Sequence, residues 1–316
     1  MDPAGFCNQT RVLIVAGKGG VGKTTVTAAL ARMAARAGLT TLVVEVEGKS
    51  GLGAAFGRAQ PLTYDEVILA PGGGPDGAAD VRARTLTPDD ALIEYLRDHG
   101  MKRVSKRLAS LGAIDVVATA VPGIKDILVL GKVKSLERSN RADLIILDAP
   151  AAGHAVTFLM SARGLLDAVR VGPIRSQAQD VMELLTDPAR CQILLVTLPE
   201  ETPVNEVVET AYKLEDRVGV SLLGVVVNGL YPEVAGLESD PGTVPEADDL
   251  RAAAAFRKAR TDLQTEQVAR LADALPLPQI HLPFLFTTEV GPAEIDELAD
   301  ALAASLAQLP DPAVRA

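Results

Sequence analysis

The stretch VAGKGGVGKTT, residues 15–25, decides the fold. It begins within a short apolar run, RVLIVA, which is typical of a buried strand. An alanine-rich segment with apolar residues at helical spacing follows from Gly22, and Gly38 closes it in the way that is typical of a helix end. A glycine-rich turn between a strand and a helix predicts a loop that holds phosphate groups.

Four residues of this loop have the spacing of a phosphate cradle. Gly17 and Gly22 let the backbone curl so that several N–H groups face one phosphate, and the helix directs its positive end at the same charge. Lys23 is expected to reach the β- and γ-phosphates of ATP as a catalytic residue, and the Thr24 hydroxyl to coordinate Mg²⁺. The predicted nucleotide-binding residues of the loop are Gly17, Gly19, Gly20, Val21, Gly22, Lys23, Thr24 and Thr25.

The composition limits the other classes of function. The chain has 316 residues, of which 48% are hydrophobic and 23% charged, as in a soluble globular domain. No apolar run reaches the roughly eighteen residues of a membrane-spanning helix, and the N-terminus does not have the pattern of a signal peptide. The net charge of −10 disfavours nucleic acid, and the two cysteines, Cys7 and Cys191, favour a reducing cytoplasm.

The rest of the chain predicts an α/β fold, with a mostly parallel twisted sheet flanked by helices in a single domain, 1–316. Further strands are predicted at residues 40–47, 143–149, 192–198, 222–228 and 278–283. Helices are predicted from Thr202, over 251–275 and over 293–309, and the acidic, Pro- and Gly-containing segment 231–249 predicts a loop.

Two segments, 58–142 and 155–190, interrupt this rhythm. The first contains a predicted β-hairpin, residues 64–70 and 80–86, followed by helices, and the second is helical throughout. We interpret both as insertions on one sheet rather than as separate domains.

The second lysine of the loop, Lys18, points to a particular class. GKGGVGKT resembles the deviant Walker A form of the MinD and ParA division and partition ATPases, the nitrogenase iron protein and the ArsA-type ATPases. The resemblance implies that Lys18 is catalytic and reaches across a dimer interface to the partner's nucleotide, as an arginine finger does in trans. The plain alternative is a solvated surface lysine.

The segment LDAPAAGHAVTFL, residues 147–159, resembles the DTAPTGHTLRFL signature of the ArsA and guided-entry branch. The resemblance implies that Asp148 ends a buried strand beside the cradle and holds a water ligand of Mg²⁺. In VVVNGLYP it implies that Asn228 reads the edge of the adenine, and Pro283 and Phe284 are expected to flank that base.

The first switch departs from the family pattern. The family carries DPAHNLSDAFG where this chain has EGKSGLGAAFG, residues 47–57, so Glu47 replaces the aspartate that orients the attacking water. A glutamate keeps the carboxylate but adds a methylene, which changes the geometry and predicts slow turnover. Glu45 is on the same strand face and could hold the hydration shell of Mg²⁺. A plain alternation of exposed acids would also explain both glutamates.

The resemblance implies an ATP-hydrolysing nucleotide switch. Mg²⁺-ATP would close a dimer with a second protomer, either the same chain or a related one, and the two inserted segments would form a subdomain that binds a protein or hydrophobic client. The apolar stretch 114–133 could line a client groove or belong to an ordinary core.

Three other functions are weighed against this one. An arsenite-pump subunit needs more cysteine ligands than Cys7 and Cys191, and a MinD- or ParA-like positioning ATPase usually has a basic amphipathic C-terminal helix, whereas this C-terminal segment is acidic. A small-molecule kinase-like P-loop enzyme is the third, and it should act as a monomer with its own acceptor pocket. The second lysine, Lys18, disfavours this function, because it points to a class that acts as a dimer.

Overall fold

A computed structural model describes residues 1–46, 51–74, 77–98, 100, 123–150, 152–242 and 244–310. Within these residues eight strands form one sheet. The strands are β1 (Val12–Gly17), β2 (Thr41–Val46), β3 (Val67–Ala70), β4 (Val81–Leu86), β5 (Leu144–Asp148), β6 (Cys191–Thr197), β7 (Ser221–Leu230) and β8 (Gln279–Pro283). All six strands predicted outside the inserted segments are confirmed, with ends that differ by one or two residues.

The strand order is β3-β4-β2-β5-β1-β6-β7-β8, so β1 lies in the interior of the sheet. Every neighbouring pair is parallel except β3 and β4, which form the predicted antiparallel hairpin at one edge. Because the strands from β4 to β8 are parallel, their carboxyl ends meet at one edge of the sheet, where ligands bind in open α/β sheets. The predicted fold class is confirmed.

Ten helices flank the sheet within the described residues. They are α1 (Pro3–Cys7), α2 (Lys23–Arg36), α3 (Gly51–Ala55), α4 (Pro88–Asp98), α5 (Ile124–Arg138), α6 (Ala152–Ala168), α7 (Pro173–Leu185), α8 (Glu201–Val218), α9 (Ala247–Ala274) and α10 (Pro292–Ala307). Helix α9 begins four residues before the predicted position, because Asp248 and Asp249 in its first turn favour a helix N-terminus.

The core has two layers, one on each face of the sheet. Successive residues of β1 alternate between them, with Ile14 in the layer beneath α5 to α8 and Leu13 in the layer beneath α2 and α10. All six residues of β1 are buried, as expected for a parallel strand covered on both faces. The alanines of α2 allow this helix to pack closely on both the sheet and α10.

The two cysteines lie in different layers. Cys7 belongs to the layer beneath α2 and α10, and Cys191 to the layer beneath α5 to α8. Both are buried free thiols, and burial raises the pKa of each to about 12. They therefore cannot act together as ligands of one metalloid within a chain.

The inserted segments are built onto the same sheet. Strand β4 belongs to the first segment, 58–142, and pairs with β2. Helix α7 belongs to the second segment, 155–190, and its Val181 and Leu185 are buried in the core. Of the apolar stretch 114–133, residues 114–122 lie outside the described part, whereas Ile127 and Leu130 are buried in the core. Among the described residues, none of the helices combines the length and the apolar composition of a membrane span.

Candidate nucleotide site

The glycine-rich loop connects β1 to α2 at the carboxyl edge of the sheet. Gly20 and Gly22 have φ values of +86° and +89°, the left-handed region that glycine adopts without strain. A Cβ at Gly17 would lie 2.3 Å from the carbonyl oxygen of Val196 on β6, so the loop tolerates no side chain there. The path of the loop therefore depends on glycine, as a phosphate cradle requires.

The two lysines of the loop have different surroundings. Lys23, the first residue of α2, is 7% exposed, and its Nζ donates a hydrogen bond of 2.7 Å to the carbonyl oxygen of Lys18. The side chain of Lys18 is 45% exposed and forms an ion pair with Glu206 of α8. One lysine thus lies in the cradle, and the other lies outside it.

Oxygen ligands suitable for a hard cation gather beside Lys23. The hydroxyl of Thr24 donates a 2.7 Å hydrogen bond to the carboxylate of Asp148 at the end of β5. Glu45 of β2 is the register partner of Asp148, and both residues are fully buried. A hydroxyl and two carboxylates suit Mg²⁺, which prefers a few protein oxygens together with phosphates and water.

Asn228, on strand β7, lies against the glycine-rich loop. Its side-chain amide donates a hydrogen bond of 3.0 Å to the carbonyl oxygen of Val21, and a Cβ at Gly22 would lie 2.3 Å from its Nδ2. Asn228 therefore supports the turn before α2 directly. Its predicted contact with adenine stays a prediction.

Pro283 ends β8 and Phe284 follows it, at the same edge of the sheet. The N–H of Phe284 donates to the carbonyl oxygen of Leu230, and its ring packs on Tyr231 and Phe286 with centroid distances of 5.3 and 4.9 Å. Phe284 is 42% exposed, which leaves apolar surface for a flat ligand. That these residues flank a base remains a prediction.

The structure brings most of the predicted site residues together at one edge. Gly19 and Gly20 are exposed at the mouth of the loop, Val21 is buried, and Thr25 continues α2. Glu47 lies outside the described residues, so its predicted place beside the attacking water is still a prediction.

Glu206 is the site residue that sequence reasoning missed. It lies 188 residues from Lys18 in the chain, and a single glutamate within a helix looks like part of a solvated face. Only the packing of α8 against the sheet brings it to the loop.

Comparisons with known proteins show the family to which the chain belongs. A family model described as an anion-transporting ATPase, ArsA, matches residues 10–171. ATPase BagA of Mycobacterium tuberculosis is 30% identical over 321 residues, which cover 93% of this chain and 92% of that protein. This chain belongs to the ArsA-type ATPase family.

The family assignment makes the chain an ATPase, so ATP is its substrate. The arsenical pump-driving ATPase of Escherichia coli, another relative, is 27% identical over 245 residues, which are 71% of this chain but 40% of that protein. The residues that the family model matches, 10–171, include the loop with its two lysines.

Proposed function

We propose that this ArsA-type ATPase is a nucleotide switch, in which Mg²⁺-ATP closes a dimer and the changed surface binds a client. The observation that carries the proposal is the unequal placement of two lysines in one loop. Lys23 is buried in the cradle, where one cation suffices for the β- and γ-phosphates. Lys18 is outside the cradle with a half-exposed side chain, so it can reach a second protomer once it leaves Glu206.

Each residue of the cradle has a proposed role. Lys23 neutralises the charge that develops on the phosphates, while Thr24, Asp148 and Glu45 hold Mg²⁺ and its waters. Mg²⁺ supplies charge neutralisation to the phosphates when bound. Glu47 orients and polarises the attacking water.

The partner protomer is either a second copy of this chain or a related chain. Lys18 from one protomer would reach the phosphates that the other holds. Since this contact exists only while ATP or its transition state is bound, closure depends on the nucleotide. Nucleic acid is not proposed as a partner, because the net charge is −10.

The client is a protein or a hydrophobic segment, and the inserted segments 58–142 and 155–190 form the subdomain that binds it. Exposed apolar side chains within them, Ile68 at the edge of the sheet and Val171 between α6 and α7, support this proposal. The name of the Escherichia coli relative, a pump-driving ATPase, also supports a protein partner. The two buried free thiols suit a reducing cytoplasm, which we include in the proposal.

The mass of the protein in solution tests this switch. We expect light scattering to give the mass of a monomer with ADP and twice that mass with ADP and aluminium fluoride, which mimic the transition state. The Lys23→Ala variant is the control, because it should lack the bound analogue and stay monomeric. A monomer under both conditions would argue for the kinase-like alternative and against closure between copies of this chain.

A second prediction concerns the water-orienting carboxylate. Glu47→Gln should leave Mg²⁺-ATP binding nearly intact and lower turnover about tenfold or more, about 1.4 kcal/mol or more in the barrier, because the amide is a poor base. Steady-state hydrolysis and equilibrium nucleotide binding measure the two effects. Glu45→Gln is the matched comparison on the adjacent strand β2. If Glu45→Gln shows this pattern and Glu47→Gln does not, the two roles are exchanged.

A further inference from the structure

The ion pair between Lys18 and Glu206 joins the glycine-rich loop to helix α8. Lys18 Nζ donates to Oε1 of Glu206, and the two side chains are 45% and 35% exposed. Helix α8 packs on α6 and on strands β6 and β7, so the backbone of Glu206 is fixed relative to the sheet. The pair therefore holds the tip of Lys18 against its own protomer.

The carboxylate of Glu206 depends on Lys18 because its second oxygen has no other partner within the described residues. Oε2 is shielded from solvent and has no hydrogen-bond partner within the described residues. Among the described residues, Lys18 is the one cation within ion-pair distance of this carboxylate. When the cation leaves, the negative charge of a carboxylate with a shielded oxygen is no longer neutralised, and water cannot replace the lost contact. Breaking such a pair therefore costs more free energy than breaking a solvated surface pair.

The backbone of Lys18 is also held, but from the side of the cradle. The buried Nζ of Lys23 donates to the carbonyl oxygen of Lys18, at 2.7 Å. The loop can therefore keep its shape while the side chain of Lys18 alone changes partner. Rotation about side-chain bonds is sufficient to move a lysine ammonium between two anions.

We propose that Glu206 is a positioning residue that retains Lys18 on its own protomer and so sets the threshold for dimer closure. This inference rests on the proposed action of Lys18 in trans. Each Lys18 must leave Glu206 before it reaches the partner's phosphates, and two such pairs break for every dimer that closes. The γ-phosphate of ATP adds negative charge at the position that Lys18 reaches in the partner, so ATP draws Lys18 away from Glu206. ADP lacks this phosphate and leaves the pair intact.

The test is the dependence of ATPase activity per chain on protein concentration, with the full-length protein. Glu206→Gln keeps the shape of the side chain and removes its charge. We expect the concentration of half-maximal activity to fall about tenfold, which is about 1.4 kcal/mol shared between two pairs. The mass of the variant with ADP and aluminium fluoride should reach that of the dimer at correspondingly lower protein concentration.

Glu209→Gln is the matched control, because Glu209 lies one turn further along α8 and pairs with Lys213 of the same helix. It should leave the concentration dependence unchanged. Glu206→Asp retains the charge and should stay nearer the wild type than Glu206→Gln. In a Lys18→Ala background, Glu206→Gln should have no further effect, because the pair is already absent. Thermal unfolding of each variant separates these effects from a general loss of stability.

The possible results separate failure of this inference from failure of the proposed dimer. If Lys18→Ala impairs closure while Glu206→Gln closes at the wild-type concentration or a higher one, the dimer stands and the positioning role of Glu206 is overturned. If the wild type stays monomeric with ADP and aluminium fluoride, the dimer itself fails, and Glu206 has no threshold to set. If Glu206→Gln shifts the concentration dependence in the Lys18→Ala background as much as it does in the wild type, the inference is also overturned.

Discussion

Replacement of Lys23 by alanine should reduce ATP hydrolysis more than about a hundredfold, which corresponds to about 2.7 kcal/mol or more of lost transition-state stabilisation. Lys23 is buried at the start of α2, where the helix also directs its positive end at the loop. Its removal takes away the one cation that the cradle is proposed to supply to the β- and γ-phosphates. Phosphate release under saturating Mg²⁺-ATP measures the loss, and nucleotide binding shows how much of it lies in affinity.

The control for Lys23→Ala is Lys213→Ala, which removes an exposed lysine of α8 far from the loop in sequence. This control should hydrolyse ATP at the wild-type rate. Since Lys23 also donates to the carbonyl oxygen of Lys18, thermal unfolding should be recorded for both variants. Wild-type turnover in a folded Lys23→Ala protein would refute the assignment of the cradle.

Lys18→Ala should bind Mg²⁺-ATP with a modest loss of affinity and yet hydrolyse it about a hundredfold more slowly or worse, as expected for a finger supplied in trans. The decisive measurement mixes Lys18→Ala with Lys23→Ala. In a mixed dimer, the Lys18→Ala chain retains an intact cradle, and the Lys23→Ala chain supplies an intact Lys18. Partial activity should therefore return on mixing, although neither variant is active alone.

The size of this recovery follows from counting sites. Each mixed dimer has one complete site of two, so with independent sites the recovery is at most about half of the wild-type activity, and about a quarter if half of the dimers are mixed. An activity that never exceeds the sum of the separate variants would instead make Lys18 a surface charge. Strict dependence of each site on the other would also remove the recovery, and the mass measurement with aluminium fluoride distinguishes that case by showing the dimer.

The cradle and the parallel sheet were predictable from sequence because their determinants are local. The conformation of residues 15–25 depends on glycines at positions that need them, and the strand and helix on either side follow from apolar periodicity. Asp148 was expected beside the cradle because residues 147–159 resemble the family signature, and the apolar run before it predicts the buried strand that it ends. Its hydrogen bond with Thr24 joins two such local signals.

Contacts that depend on packing between distant segments could not be predicted in the same way. The ion pair of Lys18 with Glu206 requires the orientation of α8 on the sheet, and the bond from Asn228 to Val21 requires the register of β7. Nothing in the sequence around Glu206 or Asn228 indicates that its side chain contacts the loop. The aromatic group formed by Tyr231, Phe284 and Phe286 likewise joins the end of β7 to the segment after β8.

The burial of Cys7 and Cys191 on opposite faces of the sheet makes the native chain convenient for spectroscopy. Thiol reagents attack the thiolate, and a pKa raised to about 12 leaves little thiolate at neutral pH. An exposed cysteine introduced by Lys213→Cys would ionise normally and take up a maleimide dye or a spin label selectively. The distance between labels on two protomers could then be followed during a single round of hydrolysis, with both native cysteines left in place.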